Sequence, residues 1–159
     1  MKKLISTVAF TLITISLPAT AWASGKSDYP DANHLFDSAA IPSNARIQNA
    51  NHRFKVHVQK TPISKLSIYL PKEVSLAKDI EVTDVTGQKI DAQASVDSGK
   101  ATIAFAQAVA PDTVLKVNLR GVKTTGFKEN WLYRVYSQKV GLNAETPLGT
   151  AEVRTYLSN

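Results

Sequence analysis

Aromatic and basic side chains lie together in one short stretch of the sequence, and they are the residues best suited to bind a ligand. Trp131, Tyr133 and Tyr136 supply three aromatic rings, and Lys128 and Arg134 lie beside them. Aromatic rings offer large contact surfaces and attract cations through their faces, while basic groups attract acidic ones. We therefore predict that Lys128, Trp131, Arg134 and Tyr136 form a binding surface for a sugar or a partner protein.

A second interpretation of the same stretch places some of these rings in the core. Alternate residues of a strand point to opposite faces, so Trp131 and Tyr133 share one face and Arg134 and Tyr136 share the other. The central strands of a sandwich carry bulky aromatic residues in the core. The alternation therefore favours the core for Trp131 and makes Tyr136 the stronger candidate for the surface.

The three histidines are candidates for a transition-metal site, and they are His34, His52 and His57. The spacing of five between His52 and His57 is odd, so on one strand they point to opposite faces and cannot share an ion. We expect His57 on a solvated face between Lys55 and Gln59. The sequence therefore predicts no metal site built from histidine.

Carboxylates offer a second possible metal site, because Asp79 and Glu81 share one predicted strand face and Asp84 lies near the next turn. Calcium is bound by oxygen ligands of this kind. However, the stretch lacks an Asp-x-Asp-x-Asp loop, and Lys78 and Lys89 are close enough in sequence to neutralise the acids. We interpret these carboxylates as part of a solvated face.

Local catalytic motifs are missing from the sequence. It has no Cys, no Gly-x-Ser-x-Gly and no glycine-rich phosphate loop. We therefore predict no cofactor and no catalytic residue. A pair of carboxylates for glycoside hydrolysis needs no local motif, so an enzyme acting on envelope glycans stays open as an alternative.

The elements that position these residues are short strands, since apolar and polar side chains alternate repeatedly. The clearest example runs from Lys100 to Arg120, where we predict that two strands around Pro111-Asp112 form one sheet unit. Turns at residues 86–88 and 97–100 indicate two hairpins that lead into this unit. The predicted strands lie at 53–59, 65–70, 79–85, 90–96, 100–105, 113–120, 131–136 and 151–157.

This pattern predicts an all-β fold, an antiparallel immunoglobulin-like β-sandwich of about seven or eight strands. A small antiparallel β-barrel is the alternative. Only the stretch 76–78 is expected to form a single helical turn, and residues 121–130 and 141–149 are expected to be loops.

The first residues have the pattern of a secretory signal peptide. Lys2 and Lys3 precede an apolar run at 4–17 that is too short to span a bilayer, and Ala21-Trp22-Ala23 matches a small-x-small cleavage site. We predict a signal peptide at 1–23, cut after Ala23. Because no Cys follows, a lipoprotein anchor is not expected, and no later stretch predicts a transmembrane helix.

The remaining chain is predicted to contain a flexible leader at 24–40 and a single sandwich domain at 41–159. The leader is polar at first, and its later apolar residues show no periodicity, so we expect irregular chain across the sandwich. A short edge strand is expected at 46–48.

The charge favours acidic partners other than nucleic acid. The sequence carries 19 Lys+Arg and 13 Asp+Glu, and removing residues 1–23 takes away two lysines, which leaves a formal charge of +4. Bases dominate before Glu73 and after Asp112, with an acidic region between them. Such a dipolar surface attracts a polyanion, although solvated strand faces explain the same pattern. No clustered basic helix suggests nucleic acid binding.

Several motifs resemble an uncharacterised family of exported cyanobacterial proteins, the domain of unknown function 2808. The resemblance extends from Ile41 to Tyr156 and implies no reaction, cofactor or catalytic residue. The motifs that resemble those of the family are Phe54–Val58, Thr102–Phe105, Ala108–Pro111, Thr113–Leu119, Trp131–Val135, Leu148-Gly149 and Tyr156.

The sequence as a whole predicts an exported, non-enzymatic binding or structural module of the periplasm or the cell exterior. Its expected partner is an envelope protein or an anionic glycan. Besides the enzyme alternative, an edge strand that completes another β-protein is a further hypothesis.

Overall fold

The computed structural model describes residues 32–157, and this part of the chain forms ten strands. The predicted signal peptide and the first residues of the predicted leader lie outside it. The strands are β1 (His34–Ile41), β2 (Ala50–Val58), β3 (Ile63–Tyr69), β4 (Val74–Leu76), β5 (Ile80–Thr83), β6 (Ala92–Asp97), β7 (Lys100–Val109), β8 (Thr113–Thr124), β9 (Asn130–Lys139) and β10 (Glu145–Arg154).

The strands form two five-stranded antiparallel sheets packed face to face. Sheet one has the order β1-β2-β8, and both β4 and β5 pair with the far side of β8. Sheet two has the order β10-β9-β3-β7-β6. The predicted immunoglobulin-like sandwich is therefore confirmed and the closed barrel is wrong, although the strands number ten instead of seven or eight. No helix in residues 32–157 is long and apolar enough to cross a membrane.

The core lies between the two sheets. It is built from the side chains that point inward, which are every second residue along most strands. Sheet one contributes Phe54 and Leu115, and sheet two contributes Leu66 and Tyr133, all at most 1% exposed. Burying a large apolar side chain contributes about 1.5–3 kcal/mol. This burial fixes the register of each strand, because a shift by one residue would turn its apolar side chains outward.

The predicted sheet unit around Pro111-Asp112 is wrong. β7 belongs to sheet two and β8 to sheet one, so the chain crosses from one sheet to the other after Val109. The apolar faces of the two strands cover each other: Ile103 on β7 and Val117 on β8 are both fully buried. The turn residue Asp112 has a φ of 60°, a conformation that Asp adopts more readily than most residues.

The predicted hairpin of β5 and β6 is also wrong, because β5 lies in sheet one and β6 in sheet two.

The irregular course predicted for the leader is wrong from His34 onward, because His34–Ile41 forms the edge strand β1 there. A bulge between Phe36 and Ala39, with Asp37 at a φ of 53°, interrupts the alternation that would have indicated the strand. The strand expected at 46–48 is also wrong, since these residues belong to turns between β1 and β2.

Three further differences concern the ends of elements. Leu76 ends the short strand β4, so the helical turn expected at 76–78 is wrong. β8 continues to Thr124, into the predicted loop. β10 already begins at Glu145, where a bulge between Pro147 and Gly149 interrupts the alternation.

Candidate functional site

The outer face of sheet two brings together aromatic, basic and acidic side chains from four strands. On β3, Tyr69 stands opposite Lys100 of β7 on one side and Arg134 of β9 on the other. Ser67 stands opposite Tyr136. We call this surface the tyrosine face, and its members are Lys65, Ser67, Tyr69, Lys100, Arg134, Tyr136 and Glu145.

Tyr69 lies at the centre of the tyrosine face. Its ring contacts Tyr136 edge to face, with the ring centroids 5.3 Å apart. The Lys100 Nζ lies 5.1 Å from the Tyr69 centroid, and the guanidinium carbon of Arg134 lies 5.5 Å from it. Each cation is within range of a favourable cation–π interaction. The arrangement therefore holds two positive charges beside one aromatic ring.

Glu145 reaches into the tyrosine face from the edge strand β10. Its Oε1 accepts a hydrogen bond from the Ser67 hydroxyl at 2.7 Å and one from Lys100 Nζ at 3.0 Å. Lys65 Nζ lies 3.8 Å from the same oxygen. The hydrogen bond from Ser67, together with that of Lys100, lowers the pKa of the Glu145 carboxyl, and the pairing raises the pKa of Lys100. Glu145 is therefore ionised at neutral pH, and because Lys65, Lys100 and Arg134 lie on the same face, the face keeps an excess of positive charge.

The four predicted binding residues fall in different places. Arg134 and Tyr136 belong to the tyrosine face, where Arg134 is exposed and Tyr136 half-buried. Trp131 is only 1% exposed and lies in the core, where its Nε1 donates to Thr155 Oγ1 at 3.2 Å. Trp131 thus cannot stack on a ligand, and its inclusion in the binding surface is corrected to the core position that the alternation favoured.

Lys128 is also separate from the tyrosine face, because it lies in the loop between β8 and β9 at one end of the sandwich. Its ammonium group pairs with Glu73 and lies 6.0 Å from the Trp131 centroid. The same ion pair, through its hydrogen bond, lowers the pKa of Glu73. Lys128 therefore contacts Glu73 and the buried Trp131 ring, and not the residues of the tyrosine face.

Three central members of the tyrosine face escaped the sequence prediction, namely Tyr69, Lys100 and Glu145. The alternation places Tyr69 and Lys100 correctly on outward faces, but it does not show that their strands are neighbours. Glu145 fell inside a predicted loop. Strand pairing was the missing information, since residues directly opposite on one face interact.

A different polar pair lies in the core, where His52 Nδ1 and the Tyr133 hydroxyl oxygen are 2.6 Å apart. Burial lowers the pKa of His52 to about 4 and raises the pKa of Tyr133. His57 points to the outer side of sheet one, so the two histidines do face opposite ways. Within residues 32–157, no group of three or more His, Cys, Asp or Glu side chains is placed to hold a metal ion.

A groove of about 260 Å³ on the outer face of sheet one is lined by two acids, Asp37 of β1 and Glu81 of β5, whose strands are separated by β2 and β8. Lys55 Nζ lies 2.5 Å from Asp37 Oδ2, and this contact lowers the pKa of the Asp37 carboxyl. The proton-donating carboxyl of a glycosidase needs the opposite, a raised pKa. Asp37 is therefore unsuited to the role of proton donor.

The fold places the chain among immunoglobulin-like β-sandwich domains. Its sequence matches the family described as "Protein of unknown function (DUF2808)" over residues 29–153, and the chain belongs to that family. The resemblance in the sequence motifs is thereby confirmed. No curated protein matches the chain.

Several solved structures are similar in fold, and two of them serve as examples. One is the bacterial hydrophobin BslA, with a TM-score of 0.57 at 10% identity over 80% of this chain and 96% of that one. The other is the N-terminal domain of the Streptococcus gordonii adhesin Sgo0707, with a TM-score of 0.53 at 11% identity over 79% of this chain. The match spans only 32% of the adhesin chain. At such identities the likeness shows the shared sandwich fold.

Proposed function

We propose that this protein is an exported binding module of the cell envelope and that its tyrosine face binds an acidic saccharide. The observation that carries the proposal is the position of Tyr69, flanked by Lys100 and Arg134 and contacting Tyr136 on the solvent side of the central strands. A sugar ring would lie against the tyrosines while its carboxylate or sulfate meets the cations.

The charges of the tyrosine face match this class of ligand. Lys65, Lys100 and Arg134 supply three positive charges, and Glu145 supplies one negative charge. Arg134 is exposed and has its guanidinium group available at the surface of the sheet. A planar guanidinium group binds a carboxylate or sulfate through two parallel hydrogen bonds, which favours an acidic sugar over a neutral one.

The same contacts contribute too little stability to account for the cluster by themselves. An exposed cation–π contact is worth about 0.5–1 kcal/mol. A surface ion pair contributes about 0–1 kcal/mol. Recognition is the role that uses all of these groups at once.

An envelope location is supported by the signal-peptide pattern at 1–23 and by the fold, which an adhesin domain and a hydrophobin share. We propose that residues 1–23 are removed on export and that the sandwich then functions in the periplasm or outside the cell. The lowered pKa of the Asp37 carboxyl argues against Asp37 as the proton donor of a glycosidase.

The test is calorimetric titration with oligogalacturonate and with its methyl ester, which lacks the charge. We expect the acid form to bind and the ester to bind much more weakly. Arg134→Ala should abolish most of the binding, whereas Arg120→Ala, which removes an exposed arginine from sheet one, should not. Equal affinity for the acid and the ester, or equal effects of both variants, would refute the proposal. Cleavage of the saccharide would favour the enzyme alternative.

A second candidate function rests on apolar side chains at one end of the sandwich. The turn after β1, the loop before β9 and the residues after β10 meet there, joined by hydrogen bonds from Ala45 N to Tyr156 O and from Thr155 N to Glu129 O. Large apolar side chains in these segments and at the end of β1 are 44–61% exposed. They are Ile41, Ile47, Phe127, Tyr156 and Leu157.

This end would let the protein adsorb at an air–water or lipid interface, a role that the name of the hydrophobin BslA suggests. Measurement of surface tension against time tests the idea. We expect Phe127→Ser to slow adsorption, and Val85→Ser, an exposed valine near the opposite end, to leave it unchanged. The idea fails if the two variants adsorb alike.

A further inference from the structure

The edge strands of the two sheets differ in how they are protected against pairing with another strand. An exposed edge presents unpaired N–H and C=O groups, and proteins commonly guard it with bulges, prolines, lysines or very short strands. In the described part of the chain, β1 has a bulge between Phe36 and Ala39, and β10 has one beside Pro147. β4 and β5 are only three and four residues long. These four strands therefore all carry a recognised form of protection.

β6 carries none of these protections. Its six residues pair with β7 without a register shift, from Ala92 opposite Phe105 to Asp97 opposite Lys100. The strand reads Ala-Gln-Ala-Ser-Val-Asp, without Pro or Lys, and residues 93–97 are all exposed. Such a regular, accessible edge is suited to receive another strand.

The direction of the free backbone groups follows from the pairing with β7. In an antiparallel ladder, every second pair exchanges two backbone hydrogen bonds, and the groups of the other residues point away. Asp91 is opposite Ala106 in the register of this ladder, and the Ala106 N–H donates to the Asp91 carbonyl at 3.0 Å. The odd-numbered residues of β6 therefore bond to β7. The even-numbered residues Ala94 and Val96 present their N–H and C=O groups at the open edge.

The inner side of β6 is apolar but not covered by sheet one. Val96 is opposite the fully buried Ala101, yet it is 48% exposed. A groove of about 200 Å³ opens between β5 and β6, with Ile80, Val82 and Ala94 among its lining residues. A strand added at this edge would extend the apolar row and cover part of this opening.

We propose that β6 pairs antiparallel with β6 of a second copy of this chain, around a two-fold axis that passes beside Ser95. Each Ala94 then lies opposite Val96 of the second copy, and these pairs exchange the outward hydrogen bonds. Gln93 lies opposite Asp97 of the second copy, where its amide donates to the carboxylate. The two five-stranded sheets become one ten-stranded sheet.

Pairing and charge together favour this register. Two neighbouring registers keep the same faces together. One puts Val96 on the axis and opposes Ala94 to the turn residue Ser98, so fewer strand residues pair. The other would put Ala94 on the axis and place Asp91 opposite Asp97 of the second copy. Like charges directly opposite each other are destabilising, so this register is disfavoured. With Ser95 on the axis, every acid of the strand meets an amide, which makes a second copy a complementary partner.

A cysteine cross-link tests the register, because the chain has no Cys of its own. Opposed residues in a non-hydrogen-bonded antiparallel pair have Cα atoms about 4.5 Å apart, within the usual range for a disulfide. We expect Ser95→Cys to give a covalent dimer under mild oxidation, and Gln93→Cys, which faces Asp97 instead of itself, to give little. Equal yields from the two variants, or no dimer from Ser95→Cys, would overturn the proposed register.

A proline tests the strand pairing itself. Because the Ala94 N–H points away from β7, Ala94→Pro leaves the ladder within the chain intact, whereas it removes two of the four hydrogen bonds between copies. We expect sedimentation velocity to show a wild-type dimer and a dissociation constant for Ala94→Pro about tenfold higher or more. Ala94→Ser keeps the N–H and should associate like the wild type. A wild-type chain that stays monomeric at every concentration, or one that captures only foreign strands, contradicts the proposal.

Discussion

His52 and Tyr133 join the two sheets through the core. His52 lies on β2 of sheet one and Tyr133 on β9 of sheet two, and the His52 Nδ1 is 2.6 Å from the Tyr133 hydroxyl oxygen. The two residues are 2% and 0% exposed. A buried polar group is stabilising only while its partner is present. We therefore expect the stability of the fold to depend on the protonation state of His52.

The first prediction concerns stability in acid. Burial lowers the pKa of His52 from 6.5 to about 4, so the folded state favours the neutral ring. Because the folded pKa lies below the unfolded one, this stabilising contribution is complete above the unfolded pKa and is lost as the pH falls towards 4. At about 1.4 kcal/mol per pH unit, the loss is about 3 kcal/mol. Urea unfolding between pH 7 and pH 4 measures it.

The control for acid stability is a double variant that has neither polar group, His52→Leu with Tyr133→Phe. Some carboxyl groups, including those of Glu145 and Asp37, also have lowered pKa values, and they lose their stabilising contribution in acid as well. Since the double variant keeps these groups, only the difference between the two pH profiles reports on His52. Parallel profiles would show that His52 does not titrate as the structure predicts.

The second prediction concerns Tyr133→Phe alone. The substitution leaves the buried His52 Nδ1 without its partner, and an unsatisfied polar group in the core costs about 1–3 kcal/mol. Tyr136→Phe removes the same hydroxyl group from a half-buried ring on the outer face. Urea midpoints at pH 7 should fall clearly for Tyr133→Phe and little for Tyr136→Phe. Equal midpoints would mean that the bond across the core contributes nothing.

Alternation along the chain predicted which face each side chain occupies, but not which strands lie side by side. It placed Tyr69 outward, and the odd spacing of His52 and His57 correctly put them on opposite faces. The hydrogen bond between His52 and Tyr133 joins residues 81 positions apart, a separation that no local pattern encodes.

Bulges and sheet crossings explain the strands that the sequence prediction missed or misplaced. β1 was hidden because Asp37 interrupts its period of two. β7 and β8 were expected to pair because each has one apolar face, yet the same pattern also fits two strands that cover each other from opposite sheets. The tyrosine face was found only in part for this reason, since Glu145 reaches it from a bulged strand.

The third prediction tests a close approach at Gly121, which has a φ of 65°. A Cβ at this position would lie 3.0 Å from Lys78 Cγ and 3.3 Å from Lys78 N. Gly99 has a similar φ of 79° but open space around it. Gly99→Ala should therefore cost about 1–2 kcal/mol from backbone strain alone, and Gly121→Ala should cost more. Thermal unfolding of both variants measures the difference. Equal losses of stability would show that Lys78 can move away from the added Cβ at no cost.

The fourth prediction concerns how salt affects ligand binding at the tyrosine face. If Lys100 and Arg134 hold the acidic group, affinity for oligogalacturonate should fall as the salt concentration rises, because exposed charges are screened. Losing a hydrogen bond to a charged group costs about 1.5–3 kcal/mol, so Arg134→Ala should weaken binding about tenfold or more. Arg134→Ala should also reduce the dependence of binding on salt.

The control is Arg134→Lys, which keeps the charge but loses the planar guanidinium group. It should restore the salt dependence without the full affinity. Full affinity for Arg134→Lys would mean that charge alone, and not the guanidinium geometry beside Tyr69, selects the ligand.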